Sequence, residues 1–169
     1  MTDEQERNVD RINARVDREE TNLFARLASI YAASRKQAQD LLQKGGGISI
    51  VEWRTLWDLH EVGPMTINDL SSTQRTDHSQ LSRALPKLRD KGLVSMHQAM
   101  QDGRQTIVTL TAKGSDAYQL AAPIMDKRRA TLGEAFTQTE ITEFVGYLDR
   151  IENFVRRPAN DILQEEEIE

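Results

Sequence analysis

Residues 65–114, MTINDLSSTQRTDHSQLSRALPKLRDKGLVSMHQAMQDGRQTIVTLTAKG, decide how this chain folds. Thr66 carries an N-cap side chain and starts a short helix to about Ser72. Asp77 caps a second helix, with Gln80 three residues on, at capping-box spacing. Leu81, Leu85 and Leu88 fall on one face of that helix, and Lys91-Gly92 ends it with a C-terminal cation and a stop glycine. Leu93 to His97 and Gln105 to Leu110 are β-capable runs, and the polar Gln101-Asp102-Gly103 between them reads as a hairpin tip. Thr111 then caps another helix.

Two short helices, a hairpin with a charged tip and a new helix follow the plan of a winged helix-turn-helix. Working outward, Val9, Ile12, Val16, Leu23, Phe24, Leu27, Ile30 and Tyr31 recur at three- and four-residue steps, marking a long amphipathic helix to about Lys44. Its first part, to about Glu20, is sparsely apolar and reads either as a fraying end or as a separate helix. Gly45-Gly46-Gly47 stops it, and Ser49 caps a helix that Gly63-Pro64 terminates. After Thr111 a helix runs to about Leu132, with Pro123 expected to bend it. A last helix, from about Glu140 to Arg156, carries Ile141, Phe144, Val145, Leu148, Ile151, Phe154 and Val155, and Pro158 stops it. The expected fold is mainly α with a small β-hairpin wing (α+β): a winged helix-turn-helix lobe over 63–111, flanked by helical dimerisation segments at 21–62 and 112–157. An acidic N-terminal extension (1–20) and an acidic tail (158–169), whose end ILQEEEIE reads as loose, complete it.

Charge follows the same division. The chain of 169 residues carries a net charge of -5, yet residues 63–114 hold Arg75, Arg83, Lys87, Arg89, Lys91, Arg104 and Lys113 against Asp69, Asp77, Asp90 and Asp102. Positive charge thus sits over the winged module and negative charge at both termini, a polarity that fits a nucleic-acid binder and, on charge alone, equally an ordinary solvated charged surface. A mean hydropathy of -0.61 suggests a slim core, and helices that finish their burial against a second chain. No run of about 18 apolar residues is long enough for a transmembrane helix, and MTDEQERNVD lacks a signal peptide's apolar stretch, so the expected location is cytoplasmic. With no cysteine, disulfides, thiolate metal sites and cysteine redox switching are excluded. His60, His78 and His97 lie on three different elements without ligand spacing, so neither a metal nor another cofactor is expected. His60-Glu61 lacks the second histidine of a zinc-protease helix, where Pro64 stands, and Gly45-Gly46-Gly47 lacks the Lys-Ser/Thr of a phosphate loop. No enzyme motif competes with the winged module.

A recognition helix reads bases with its N-terminal turns while its apolar face packs on the helix before it. On the helix from Asp77, Ser79, Gln80, Ser82, Arg83 and Pro86 point away from the leucines. Ser79, Gln80 and Ser82 suit base edges or phosphates, and Arg83 suits a bidentate guanine contact or a phosphate clamp. Asp77, His78 and Lys87 complete the candidate DNA-binding set, His78 within reach of a phosphate. An ordinary solvated helix face has the same residue types; the hairpin argues otherwise. At its tip Asp102-Gly103-Arg104 suits an arginine held out by a carboxylate and aimed into a narrow minor groove, although Asp-Gly is also a common turn pair.

These motifs together resemble the MarR-type winged-helix regulators. The resemblance rests on Leu81-Ser82-Arg83 with Leu88, on Lys91-Gly92-Leu93-Val94, on the Asp102-x-Arg104 wing, and on Leu110-Thr111-Ala112-Lys113-Gly114. Gly47-Ile48, Trp53-Arg54 and Gly63-Pro64-Met65-Thr66 extend it upstream, and it covers roughly Leu23 to Phe154. It implies a homodimer of interlocked end helices that reads a pseudo-palindromic operator on double-stranded DNA with two recognition helices about 34 Å apart. It also implies release by a small aromatic or phenolic effector, with Tyr31, Arg35, Trp53, Trp57 and His60 as the residues that would line its pocket, Arg35 or His60 meeting a carboxylate. Trp53 and Trp57, four apart on one helix, are equally the pattern of a packed core.

Three departures stand out. Pro86 sits mid-helix, where it removes the bond to the Ser82 carbonyl and predicts a kink after the reading turns. Gln74-Arg75-Thr76 replaces the small or apolar residues usual in the helix-turn-helix bend, and Met96-His97 the more basic first wing strand. The expectation is a homodimeric DNA-binding transcriptional regulator, a repressor released by an aromatic ligand. The alternative is a winged-helix protein-interaction module without DNA binding.

Overall fold

The computed structural model describes residues 8–98 and 105–164. The chain divides into two compact units, Met1–Met125 and Asp126–Glu169.

In the first unit, α1 (Val9–Thr21) and α2 (Leu23–Gly45) are separate helices. Asn22 stands between them with extended backbone, and its side chain accepts from the Ala25 amide at 3.1 Å. A residue that caps the second helix cannot continue the first, which resolves the choice between a fraying end and a separate helix. After the glycines, Ser49 and Glu52 form a complete capping box on α3 (Ile50–Val62). The chain turns at Gly63, whose φ of 93° favours glycine, into β1 (Met65–Thr66). A second box, Thr66 with Asp69, opens α4 (Ile67–Gln74), two residues longer than the sequence suggested. The α5 helix (His78–Asp90), strands β2 (Val94–Gln98) and β3 (Thr106–Leu110), and α6 (Ala112–Ala135) follow.

The strands make an antiparallel sheet in the order β1-β3-β2, with Val108 paired to Met65 on one side and Met96 on the other. β1 is invisible to pattern reading, because two residues carry no periodicity and pair only with a strand some forty positions on. Around Val108 the core gathers Leu56 and Leu59 of α3, Leu70 of α4, Leu81, Leu85 and Leu88 of α5, and Val94. Ala38 and Leu42 of α2 and Ala121 and Met125 of α6 extend it.

Neither internal proline ends its helix; α5 and α6 run unbroken past Pro86 and Pro123. At Pro86 the energetics favour persistence. Three buried leucines on α5, at about 1.5–3 kcal/mol each, outweigh a proline cost of about 3 kcal/mol. The expected Asp77–Gln80 capping box is a correction. Asp77 does cap the helix, through the Ser79 amide at 3.4 Å, but Gln80 instead meets the Thr76 hydroxyl at 3.5 Å. The competing donor, the Thr76 hydroxyl, lies four residues back, in the polar bend.

In the second unit, α7 (Gln138–Val155) opens with a Thr137–Glu140 box and buries none of its residues. Phe144, Val145, Tyr147, Phe154 and Val155 are all exposed. Beyond Pro158 a short helix, α8 (Ala159–Gln164), takes in the first three residues of the segment expected to be loose, with Asp161 in its first turn, where a carboxylate favours the helix dipole. No helix among the described residues is long and apolar enough to cross a membrane.

Candidate nucleic-acid interface

Leucine burial orients the α5 helix. Leu81, Leu85 and Leu88 are all at most 2% exposed, which turns the opposite face outward. On that face Asp77, His78, Ser79, Gln80, Arg83 and Lys87 are exposed and Ser82 is half-buried. The first turns are already ordered by their own side chains. Ser82 hydroxyl and His78 Nδ1 lie 3.3 Å apart, and Arg83 Nε donates to the Ser79 carbonyl at 3.1 Å. The predicted helix residues therefore come together on one polar surface. Asp102 and Arg104 lie outside the described residues.

The bend before α5 is built from the three residues that depart from the usual pattern. Gln74 is buried; its side-chain amide donates to Asp58 at 2.8 Å and its carbonyl accepts from Arg54 at 2.5 Å. Burial raises the Asp58 carboxyl, against the bond from Gln74 and the Arg54 charge, which lower it. Arg75 takes the left-handed conformation, φ 47° and ψ 47°, that reverses the chain. The Ser71 hydroxyl donates to the Thr76 carbonyl at 2.7 Å and closes the bend.

The other end of α5 is tied to the start of α3. Lys91 Nζ donates to the Glu52 carboxylate at 2.5 Å, and Glu52 also accepts from the Ser49 amide at 2.7 Å. Burial by itself raises the Glu52 carboxyl, but the bonds from Lys91 and Ser49 outweigh it and hold it below the usual glutamate range. Between these helices lies an open groove of about 430 Å³ whose walls include Gln80, Arg83 and Lys87. Sequence reasoning missed Glu52 as a positioning group, although Ser49-x-x-Glu52 is a legible box; its partner lies 39 residues away and left no local sign.

The wing is anchored at its base. Thr111 donates to the Gly92 carbonyl at 2.7 Å and caps α6 by accepting from the Gly114 amide at 3.0 Å. Lys113 Nζ reaches the Lys91 carbonyl at 2.8 Å. A Cβ on Gly114 would stand 2.0 Å from the Leu93 carbonyl oxygen, so only glycine permits this approach. The Lys91-Gly92-Leu93-Val94 and Leu110-Thr111-Ala112-Lys113-Gly114 motifs are thus the two halves of one joint.

The proposed ligand residues fall into two groups. Tyr31 and Arg35 are exposed on α2 and bonded to each other, Nη1 to the phenol oxygen at 3.0 Å. Trp53, Trp57 and His60 join a stacked ladder through Tyr118 of α6, which the sequence did not single out. Ring centroids are 4.1 Å apart for His60–Tyr118, 5.4 Å for Tyr118–Trp53 and 5.9 Å for Trp53–Trp57. Trp53 is buried, whereas Trp57 and His60 keep exposed faces. Among the described residues no cluster of His, Asp and Glu could hold a metal ion.

Comparison with known proteins agrees with this geometry. Residues 49–114 match the winged helix DNA-binding domain family. The transcriptional repressor IacR of Pseudomonas putida is 29% identical over 97 residues, covering 57% of this chain and 58% of that protein. A MarR/EmrR family transcriptional regulator from Acinetobacter sp. ADP1 superposes with a TM-score of 0.70 at 23% identity, over 83% of this chain and 96% of that one. Staphylococcus aureus MepR, solved in complex with DNA, gives 0.68 at 21% identity, over 77% and 95%. With its helix-turn-helix, its wing strands and its polar outward α5 face, the chain carries a winged helix DNA-binding domain over residues 49–114 and shares the fold of the MarR-type regulators.

Proposed function

We propose that the protein works as a homodimeric, sequence-specific repressor on double-stranded DNA, with α5 as the reading helix. The observation that carries this is the polar face of α5, with exposed Arg83 and Lys87 over three buried leucines. Ser79, Gln80, Ser82 and Arg83 contact base edges, His78 and Lys87 contact phosphates, and Asp77 holds the first turn for them. From the sequence, Asp102 and Arg104 are the wing residues assigned to the neighbouring minor groove. The repressor sign takes its support from the IacR relative. Dimerisation by segments 21–62 and 112–157 takes its support from the exposed apolar residues of α2 and, separately, of α7. Phe24, Ile30, Phe144 and Phe154 are each about half exposed in the single chain, a state that a second copy relieves. Release by a small aromatic acid is the remaining part, drawing on the exposed faces of Trp57 and His60 and on the Tyr31–Arg35 pair. Such a protein belongs in the cytoplasm with its DNA.

The test is retention of a duplex selected from a random pool, measured across salt. Affinity should fall steeply with salt, by about 0.9 log units per log of salt for each phosphate neutralised. Arg83→Ala should cost about 1–3 kcal/mol on the selected duplex if Arg83 reads a base, or lower the salt slope by about 1 if it clamps a phosphate. No effect of Arg83→Ala on either quantity refutes the assignment.

A further inference from the structure

We infer that Gln74, held between Arg54 and Asp58 of α3, is the positioning residue that sets the pose of the reading helix α5. The inference rests on the DNA-reading role proposed above. Base reading needs a helix held within about 0.5 Å and 10–20° of its productive pose. Leu70 of α4 and Leu81, Leu85 and Leu88 of α5 lie in one buried apolar cluster, and apolar packing is non-directional. Besides the Ser71–Thr76 bond within the bend and the Lys91–Glu52 tie at the far end of α5, directional bonds to α3 are supplied where α4 ends. Gln74 ends α4, is 6% exposed, and bonds to α3 through both side chain and carbonyl, at 2.8 and 2.5 Å. That carbonyl belongs to the last turn of α4, where intrahelical partners run out. Only Arg75, Thr76 and Asp77 separate Gln74 from α5, and Arg75 is locked in a left-handed conformation. So short a link passes any tilt of the α4 terminus directly to α5. Arg54 and Asp58 also each follow a tryptophan of the aromatic ladder, so a shift of α3 reaches α5 through the same two side chains.

Gln74→Leu keeps the bulk and the backbone carbonyl but removes the bond to Asp58. Asp58→Asn keeps an acceptor for Gln74 and serves as the conservative control. On a duplex selected by the wild-type protein, Gln74→Leu should weaken binding roughly tenfold, the scale of one lost buried hydrogen bond. Binding to a scrambled duplex and the salt slope should stay within about twofold, because phosphate contacts carry no sequence information. Asp58→Asn should match wild type. An independent readout needs no DNA. The chain has no cysteine, so Glu61→Cys and Ser79→Cys accept spin labels on α3 and α5, diluted with unlabelled protein to isolate one protomer. Their distance distribution should broaden in Gln74→Leu. Equal losses on both duplexes with a lower Tm, or an unchanged ratio with unbroadened distances, overturn the inference. If the wild type prefers no duplex, the DNA reading itself falls, and the label distances alone decide whether Gln74 positions α5.

Discussion

Removing the Glu52 carboxylate should separate the electrostatic tie between α3 and α5 from the packing around it. Glu52 is 4% exposed, and accepts from Lys91 at 2.5 Å and from the Ser49 amide at 2.7 Å. A hydrogen bond to a charged group contributes about 1.5–3 kcal/mol when both partners are desolvated. The Lys91 side chain is 60% exposed and regains water when the pair breaks. The pair itself is therefore worth about 1 kcal/mol. Glu52→Gln retains an acceptor for the Ser49 amide and should lose about that amount. Glu52→Ala also opens the capping box and a small cavity, and should lose about 2–3 kcal/mol. Urea unfolding at fixed protomer concentration measures both. A double-mutant cycle with Lys91→Met should return a coupling near 1 kcal/mol. A carboxyl whose pKa is lowered on folding stabilises the native state above its unfolded pKa, and that contribution is lost as pH falls through the folded value. Since the Glu52 carboxyl is held low, the gap between wild type and Glu52→Gln should be flat from about pH 6 to 8 and shrink below about pH 4.5. A coupling near zero, or a gap that persists in acid, refutes the tie.

Gly114→Ala should cost roughly 1–3 kcal/mol, because the new methyl meets the Leu93 carbonyl oxygen at 2.0 Å and backbone must move; a thermal melt reads it directly. Leu85→Ala, at a side chain with no exposure, should cost about 2–5 kcal/mol in urea and weaken DNA retention only as far as the fold is lost. Phe144→Asp on the exposed face of α7 should leave the helix content unchanged by circular dichroism. In sedimentation at micromolar protein it should shift a dimer toward monomer, and an unmoved dimer places the interface elsewhere.

Much of the local structure was legible because its causes are local. Ser49, Thr66, Asp77 and Thr111 were read as caps, and each does cap its helix, since a cap bond spans only two or three residues. The leucine face of α5 and the two wing strands were legible from periods of 3.6 and 2. The Asp77–Gln80 box failed because Thr76 offered Gln80 another partner, a competition that spacing rules do not weigh. The tail after Pro158 hid a short helix because six residues of mixed polarity show no period.

The amino-acid sequence by itself determined the order of the longer helices and the two wing strands, the excess of basic residues in the module and the absence of cysteine chemistry. Composition, periodicity and capping act within a few residues and survive without a fold. Tertiary structure alone decided how the bend is held and what the aromatic residues do. Gln74 looked like a misfit in the bend until Arg54 and Asp58, sixteen or more residues away, were found bonded to it. Tyr118 had no distinction in its own helix, yet it stacks between His60 and Trp53. Glu52 and Lys91 are ordinary helix-end charges until folding brings them together from 39 residues apart. Such contacts leave no periodic trace, because their partners are chosen by the path of the chain through space.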